Sequence, residues 1–202
     1  IRRQRQMCIR DRYYYQDRKF RIKLNTKNVY SKGMFENVCL AIKIALDLNI
    51  DKKVIQKALP FLSFEGRFQY LNKGKIKNKL NRNESIMIDG AHATADAQNL
   101  ASYLKKIKIP KYGIWAMTKN KDPDLFIKQL KGVFKKIITM PIDNEVNSVS
   151  AQELYKVATE NKFNVEKSDN FTQALKRISS KEKKLIVCFG SLYNCGNILN
   201  KN

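Results

Sequence analysis

From Ser85 onward the chain repeats one grammar: a short apolar run, a polar turn, then a segment with apolar residues at helical spacing. The runs fall at 85–88, 112–117, 136–140, 163–165 and 185–189. The periodic segments fall at 95–106, 124–134, 150–160, 171–178 and 193–199. Runs this short and apolar on both faces predict strands of a parallel sheet covered by helices on both sides. With right-handed crossovers the expected fold is α/β, a doubly wound and mostly parallel sheet, from about Glu65 to Asn202. Local punctuation agrees with it. Ser150-Ala151-Gln152-Glu153 is a capping box, Asp169-Asn170 precedes a helix, and Gly190-Ser191 turns a strand into one.

The preceding residues follow another pattern. Residues 13–24 alternate apolar and polar, with Phe20, Ile22 and Leu24 on one face, and predict an edge strand. Residues 25–32 read as loop and 35–48 as a largely buried helix. A shorter helix over 52–59 is capped by Asp51 and stopped by Pro60. Residues 64–70 open the next unit with a strand at Phe68 and Tyr70. A hairpin turn follows at Asn72-Lys73-Gly74, and 75–83 form a polar return. Residues 13–64 therefore look like the tail of a preceding domain. Residues 1–12 differ from everything after them: arginine replaces lysine, and the string resembles translated adapter sequence, to be set aside like a fusion scar. The competing reading is a basic arm that binds nucleic acid.

The 202 residues are 43% hydrophobic, enough for one domain and part of another. No run approaches the ~18 apolar residues of a membrane span, and no secretory signal is evident. Cys8, Cys39, Cys188 and Cys195 show neither a CxxC pair nor zinc spacing, which makes the cytoplasm the simplest compartment. The net charge is +22, from 40 Lys+Arg against 18 Asp+Glu. Residues 1–12 carry five arginines and one aspartate, so +4 of that total is theirs and +18 belongs to the rest. The lysines are scattered, and Lys/Asn enrichment follows AT-rich coding, so a solvated surface is favoured over a nucleic-acid site. The field would still attract anionic substrates.

The candidates for chemistry sit at strand ends. Asp89-Gly90-Ala91-His92 closes the first run with an acid, a glycine and the only histidine in the sequence. Ligands of open α/β sheets bind beyond the carboxyl ends of the strands. Gly190-Ser191 would place a serine at a helix N-terminus, where free amides favour an anion; a plain helix cap is the alternative. Arg67 suits a phosphate or a purine face. Lys121-Asp122 lies in the loop after 112–117. No GxxxxGK[ST] or GxGxxG loop occurs, no cysteine has a base near it in sequence, and one histidine does not make a His-based metal site.

Several of these pieces occur together in order: Gly33-x-x-Glu36-Asn37-x-x-x-Ala41, Glu65-Gly66-Arg67-Phe68-Gln69, Ile88-Asp89-Gly90-Ala91-His92, Lys121-Asp122 and Phe189-Gly190-Ser191-Leu192-Tyr193-x-x-Gly196. The set resembles the C-terminal half of the folylpolyglutamate synthase/dihydrofolate synthase family, in the Mur ligase superfamily. That resemblance implies a Rossmann-like C-terminal domain over 65–202, which brings glutamate, and a tail of a central ATPase domain over 13–64. It implies an ATP-dependent ligase that adds L-glutamate to dihydropteroate or a folate through an acyl phosphate. ATP and Mg²⁺ would be held mainly by an N-terminal body carrying the P-loop, so this chain would be a fragment inactive alone, from an enzyme monomeric at full length. By position, Asn37, Arg67 and Asp89 would contact ATP, with Asp89 on a ribose hydroxyl. His92 and Ser191 would line the glutamate pocket, His92 steering either the glutamate carboxylate or the amine proton. Lys121 and Asp122 are weaker members, and no metal ligand is expected here. The chain departs from the family pattern at Gly33 and Met34, where His-Gln is usual, and at Ala93 and Thr94, where Asn-Pro is usual. Two other readings stand beside this one: a Mur-type ligase with a different amino acid or acceptor, and a basic nucleic-acid-binding α/β module.

Overall fold

The computed structural model describes residues 13–202; the readings made for residues 1–12, and for Cys8, lie outside the described residues. The chain divides into two compact units, one ending at Phe64 and the other spanning Glu65–Asn202.

The described part of the first unit holds strands β1 (Tyr14–Gln16) and β2 (Arg21–Lys23), helices α1 (Lys32–Asp47) and α2 (Lys52–Ala58), and a 3₁₀ turn at Leu59–Phe61. The single strand expected over 13–24 is instead an antiparallel hairpin that pairs Tyr15 with Ile22. The Asp17 carboxylate reverses the chain by accepting from the amides of Lys19 (2.8 Å) and Phe20 (2.7 Å) and from the Tyr15 hydroxyl (2.6 Å). Ser31 caps α1 by accepting from Met34 N, which starts the helix earlier than its apolar spacing suggests. The helix is also less buried than expected. Met34, Phe35, Val38, Cys39 and Ile42 face inward, while Leu40, Ile44 and Leu48 are 60%, 52% and 69% exposed. A hairpin and one short helix cover one stripe of α1 and leave the other open. An apolar cleft of about 350 Å³ lies between α1 and α2, and Asn37 is the one polar residue lining it.

The second unit is built on a six-stranded sheet. Its strands are β3 (Gln69–Tyr70), β4 (Glu84–Asp89), β5 (Lys111–Trp115), β6 (Lys136–Thr139), β7 (Val165–Lys167) and β8 (Lys184–Phe189), in the order β3-β4-β8-β5-β6-β7. β3 is antiparallel and every other pairing is parallel. The helices are α3 (Lys75–Lys79), α4 (Thr94–Leu104), α5 (Pro123–Lys128), α6 (Ala151–Glu160), α7 (Phe171–Ile178) and α8 (Leu192–Asn200). α4, α5 and α6 touch in succession, and the stacked rings of Trp115, Phe126, Phe134 and Phe189 fill the core beneath them. On the opposite face, Ile86, Ile88, Ile114, Ile186 and Cys188 pack with α7 and α8 through Phe171, Leu175, Cys195 and Ile198. This is a doubly wound α/β unit. Because β8 returns between β4 and β5, the helices leaving β8 and its two neighbours go to opposite faces, and the crevice of the sheet opens at the end of β8.

Four expectations change. Residues 75–79 form a helix, because Asn202 folds back on its start: its carbonyl oxygen accepts from Lys75 N (2.7 Å) and its Oδ1 from Ile76 N (3.1 Å). α5 ends at Lys128 rather than 134, and Gly132 turns the chain with φ +74°. β7 begins two residues late. Lys162 closes α6 in the left-handed region and Phe163 N still donates to Ala158 O. β7 is also an edge strand with exposed residues, so it is not apolar on both faces. Finally, β4 and β8 each begin one residue earlier, on Glu84 and Lys184, a buried pair 3.6 Å apart. Lys184 Nζ donates to Ile178 O (2.7 Å) and lies 4.6 Å from the Tyr112 ring centroid. Glu84 accepts from Ser180 N and Asn81 N. Burial works against the charged form of Glu84, yet these donors and Lys184 hold its carboxyl below the usual range.

Candidate functional site

The carboxyl ends of β4, β8 and β5 are level, since Asp89 and Trp115 both pair with Phe189. Two glycines bring the turns beyond them into contact. Gly190 sits at φ +107°, and a Cβ there would lie 2.3 Å from Ala116 O. A Cβ on Gly90 would lie 2.3 Å from Leu192 Cδ2. Glycine is required at Gly190, where the close atom is backbone and φ is positive; at Gly90 the crowding atoms belong to the Leu192 side chain. The start of α8 thus presses on the turn that follows Asp89.

Asp89 is 1% exposed. Its Oδ2 accepts from Phe68 N (2.8 Å) and its Oδ1 from Ala91 N (2.8 Å). Burial dominates its titration and pushes the carboxyl up to about 6, against the downward pull of those amides and of the Arg67 guanidinium. Phe68 has φ +47°, a left-handed conformation that costs a bulky residue on the order of 1 kcal/mol. The Asp89 bond to its amide and a 2.6 Å bond from Gly90 N to Gly66 O hold that turn in place. Gln69 Oε1 accepts from Gly66 N (2.8 Å) and closes it. The constrained turn presents Arg67 at the rim, and Arg67 Nη1 lies 3.8 Å from Asp96 Oδ2 in the first turn of α4.

His92 is partly exposed beside it. Its Nδ1 lies 2.8 Å from Gly90 O. A carbonyl oxygen only accepts, so Nδ1 carries the proton and the lone pair of the neutral ring is on Nε2. The same Nδ1 is 4.0 Å from Asp96 Oδ2, which also accepts from His92 N at 3.5 Å. Ser191 is buried as the N-cap of α8, its Oγ accepting from Tyr193 N (3.1 Å). Behind the rim Cys195 packs on Gly66, and burial pushes its thiol up to about 12, where it does not act as a nucleophile at neutral pH.

The structure therefore gathers Arg67, Asp89, His92 and Ser191 at adjoining strand ends, but in unequal positions. Arg67 and His92 face outward. Asp89 and Ser191 are turned inward on backbone amides, and the ribose contact expected of Asp89 finds no exposed oxygen in this arrangement. Asp122 caps α5 through Leu125 N (2.9 Å). The loop of Lys121 is tied instead to 144–148 by a 2.8 Å bond from Lys119 N to Asn147 O. Asn37 belongs to the first unit. Asp96 was not anticipated from sequence. Its spacing of four from His92 on a helix start is the signal that could have found it. Among the described residues no three His, Cys, Asp or Glu side chains gather to hold a metal ion, and no helix is long and apolar enough to cross a membrane.

Residues 72–201 match the family model of the dihydrofolate synthetase C-terminal domain. That span includes Asp89, His92, Asp96 and Ser191 and begins after Arg67. No curated protein matches the chain. Among solved structures, Escherichia coli FolC in complex with DHPP and ADP is similar at 16% identity and TM-score 0.75, over 96% of this chain and 44% of that one. Mycobacterium tuberculosis folylpolyglutamate synthase complexed with ADP and AMPPCP is similar at 15% identity and TM-score 0.73, over 93% and 46%. A bifunctional folylpolyglutamate synthase/dihydrofolate synthase with Mn, AMPPNP and L-glutamate bound is similar at 16% identity and TM-score 0.71, over 93% and 43%. The chain spans less than half the length of these proteins, and at such identities the likeness is one of fold.

Proposed function

This chain belongs to the dihydrofolate synthetase C-terminal domain family, and from that membership we propose that it is the glutamate-joining part of an ATP-dependent ligase. In this reading the acceptor is dihydropteroate or a folate. Its carboxylate takes the γ-phosphoryl group of ATP, giving an acyl phosphate and ADP. The glutamate nitrogen then attacks the acyl carbon, the C–N bond forms as the C–O bond to phosphate breaks, and inorganic phosphate leaves. ATP phosphates and Mg²⁺ are held by a P-loop body outside these 202 residues, and residues 13–64 are the tail of that body. Asn37 contributes a nucleotide contact from that tail.

The observation that supports this reading is the placement of Arg67 and His92 at the end of β4, beside the start of α8. Arg67 offers a guanidinium to the nucleotide phosphates. His92, with Nδ1 committed to Gly90 O, offers the lone pair of Nε2 to the proton the amine must lose. Asp89 acts at one remove, keeping the Phe68 turn folded so that Arg67 points outward. Ser191 starts α8, whose N-terminal amides favour the carboxylates of glutamate. Lys121 and Asp122, in the loop after β5, are the weaker members of the set.

Glutamate binding can be followed at His92, since it is the only histidine. A saturable change of its ring signals with L-glutamate, larger than with D-glutamate or L-aspartate, is expected by NMR. The same response to all three, or none, would remove His92 from the glutamate pocket. With ATP, dihydropteroate and glutamate supplied, the 202 residues alone should release no ADP.

A further inference from the structure

Asp96 is the group at the rim that the proposed chemistry does not use. One of its oxygens, Oδ2, lies 3.8 Å from Arg67 Nη1 and 4.0 Å from His92 Nδ1. Neither distance is that of a hydrogen bond. The Nδ1 proton is already given to Gly90 O at 2.8 Å. Asp96 Oδ2 accepts only a long 3.5 Å bond from the backbone of His92; its link to the Arg67 side chain is charge, with no directional bond, and a ligand with better geometry can replace it there. The three side chains are 31%, 36% and 29% exposed for Arg67, Asp96 and His92, so solvent and small ions reach the point they share. Asp96 also sits in the first turn of α4, an eleven-residue helix whose N-cap, Ala93, has no side chain to satisfy the free amides. The helix favours a negative group there. The Arg67 charge already acts on the buried carboxyl of Asp89, favouring its ionised form. With Asp89 and Asp96 both ionised, the guanidinium is outnumbered two to one, on a chain of net charge +22.

We infer that Asp96 is a resident counter-anion: its carboxylate occupies the point where Arg67, beside His92, would receive an anionic ligand, and so sets how tightly that ligand is held. Ligand phosphate or carboxylate oxygens must displace it. The consequence is selectivity by competition. Loose phosphate does not accumulate on Arg67, and only a ligand with further contacts on the rim takes the place of Asp96. From the ligase reading the inference borrows only that an anion comes to this rim.

The test uses inorganic pyrophosphate as probe, with binding to the whole chain measured by calorimetry and by the His92 ring signals. Removing one charge within about 4–7 Å of the ligand should tighten binding on the order of tenfold at low salt. Asp96→Asn is expected to show that gain, shrinking as ionic strength rises. Asp96→Glu, which keeps the charge, should bind as the parent does, and Arg67→Ala should abolish the gain in an Asp96→Asn background. Where Asp96→Asn lowers the thermal midpoint, Asp96→Ser serves, since its hydroxyl can still accept from His92 N. A helix-start role alone would weaken binding or leave it alone. Unchanged or weaker pyrophosphate binding by folded Asp96→Asn and Asp96→Ser overturns the inference, and so does a gain that survives Arg67→Ala. An ADP arm separates the two readings. ADP binding no tighter than pyrophosphate counts against the nucleotide role of Arg67 and leaves the Asp96 result standing.

Discussion

Asp89→Asn tests whether burial or hydrogen bonding governs the carboxyl at the centre of the rim. In the folded chain this group is pushed from 3.8 up to about 6, with burial the largest cause. An acid with a raised folded value favours the fold while both states keep the proton, below pH 4 or so. As pH climbs from there to 6 the unfolded chain ionises first, so stability falls. Above about 6 both states are ionised and the loss is complete. A shift of about two units corresponds to roughly 3 kcal/mol. The substituted amide would not titrate. It would carry a pH-independent cost instead, because its carbonyl can serve only one of the amides of Phe68 and Ala91 and its NH₂ meets the other, a loss of about 1–3 kcal/mol. The parent should therefore be the more stable at pH 4, and the gap should close or reverse by pH 7, moving by roughly 3 kcal/mol. Urea unfolding read by the fluorescence of Trp115, the sole tryptophan and fully buried, measures both proteins at each pH. Taking the difference cancels every other titrating group. A gap that stays constant, or widens in favour of the parent as pH rises, would refute the reasoning; the second result would mean that the two amides and Arg67 outweigh burial.

Three further outcomes follow from other parts of the second unit. Glu84→Ala should cost about 3–5 kcal/mol in urea unfolding, since it leaves Lys184 charged and buried without its partner. The double change of Glu84 and Lys184 to apolar residues should recover part of that. Gly190→Ala should prevent stable folding, because the new methyl would meet Ala116 O at 2.3 Å in a backbone conformation alanine avoids; loss of the cooperative urea transition is the readout. Ser150→Ala removes one half of a complete capping box and should cost about 1 kcal/mol, detectable as a lower denaturation midpoint with an unchanged slope.

What the sequence made legible was the repeated switch between apolar runs and helical spacing, because burying a strand on both faces needs an unbroken apolar string. Such strings place β4, β5, β6 and β8 within a residue or two. The hairpin of β1 and β2 was hidden for the same physical reason. Alternation continues through a turn that Asp17 makes with its own side chain, so period alone reads one strand where there are two. The Glu84–Lys184 pair was hidden because a charge at the start of an apolar run looks like its boundary; only the packed structure places the two side by side. At the rim, Asp89, His92 and Arg67 stood out by residue type and neighbourhood. Whether each faces the ligand side or the backbone was not legible, because that depends on amides of Phe68 and Ala91 finding an acceptor. Asp96 was overlooked because a first-turn acid is ordinary helix chemistry until Arg67 is brought beside it.

The open stripe of α1 bears on how this chain behaves in a tube. Leu40, Ile44 and Leu48 present a row of aliphatic side chains to water, and Phe61, 83% exposed, adds an aromatic ring in the same unit. Mutual repulsion between copies bearing +22 charges keeps such surfaces apart in dilute buffer. Salt shortens the reach of that repulsion to about 10 Å at 0.1 M while leaving the oily row as sticky as before. Preparations of this chain should therefore be clear in weak buffer and cloud as salt is added, the reverse of what its basic composition alone would lead a purifier to plan for.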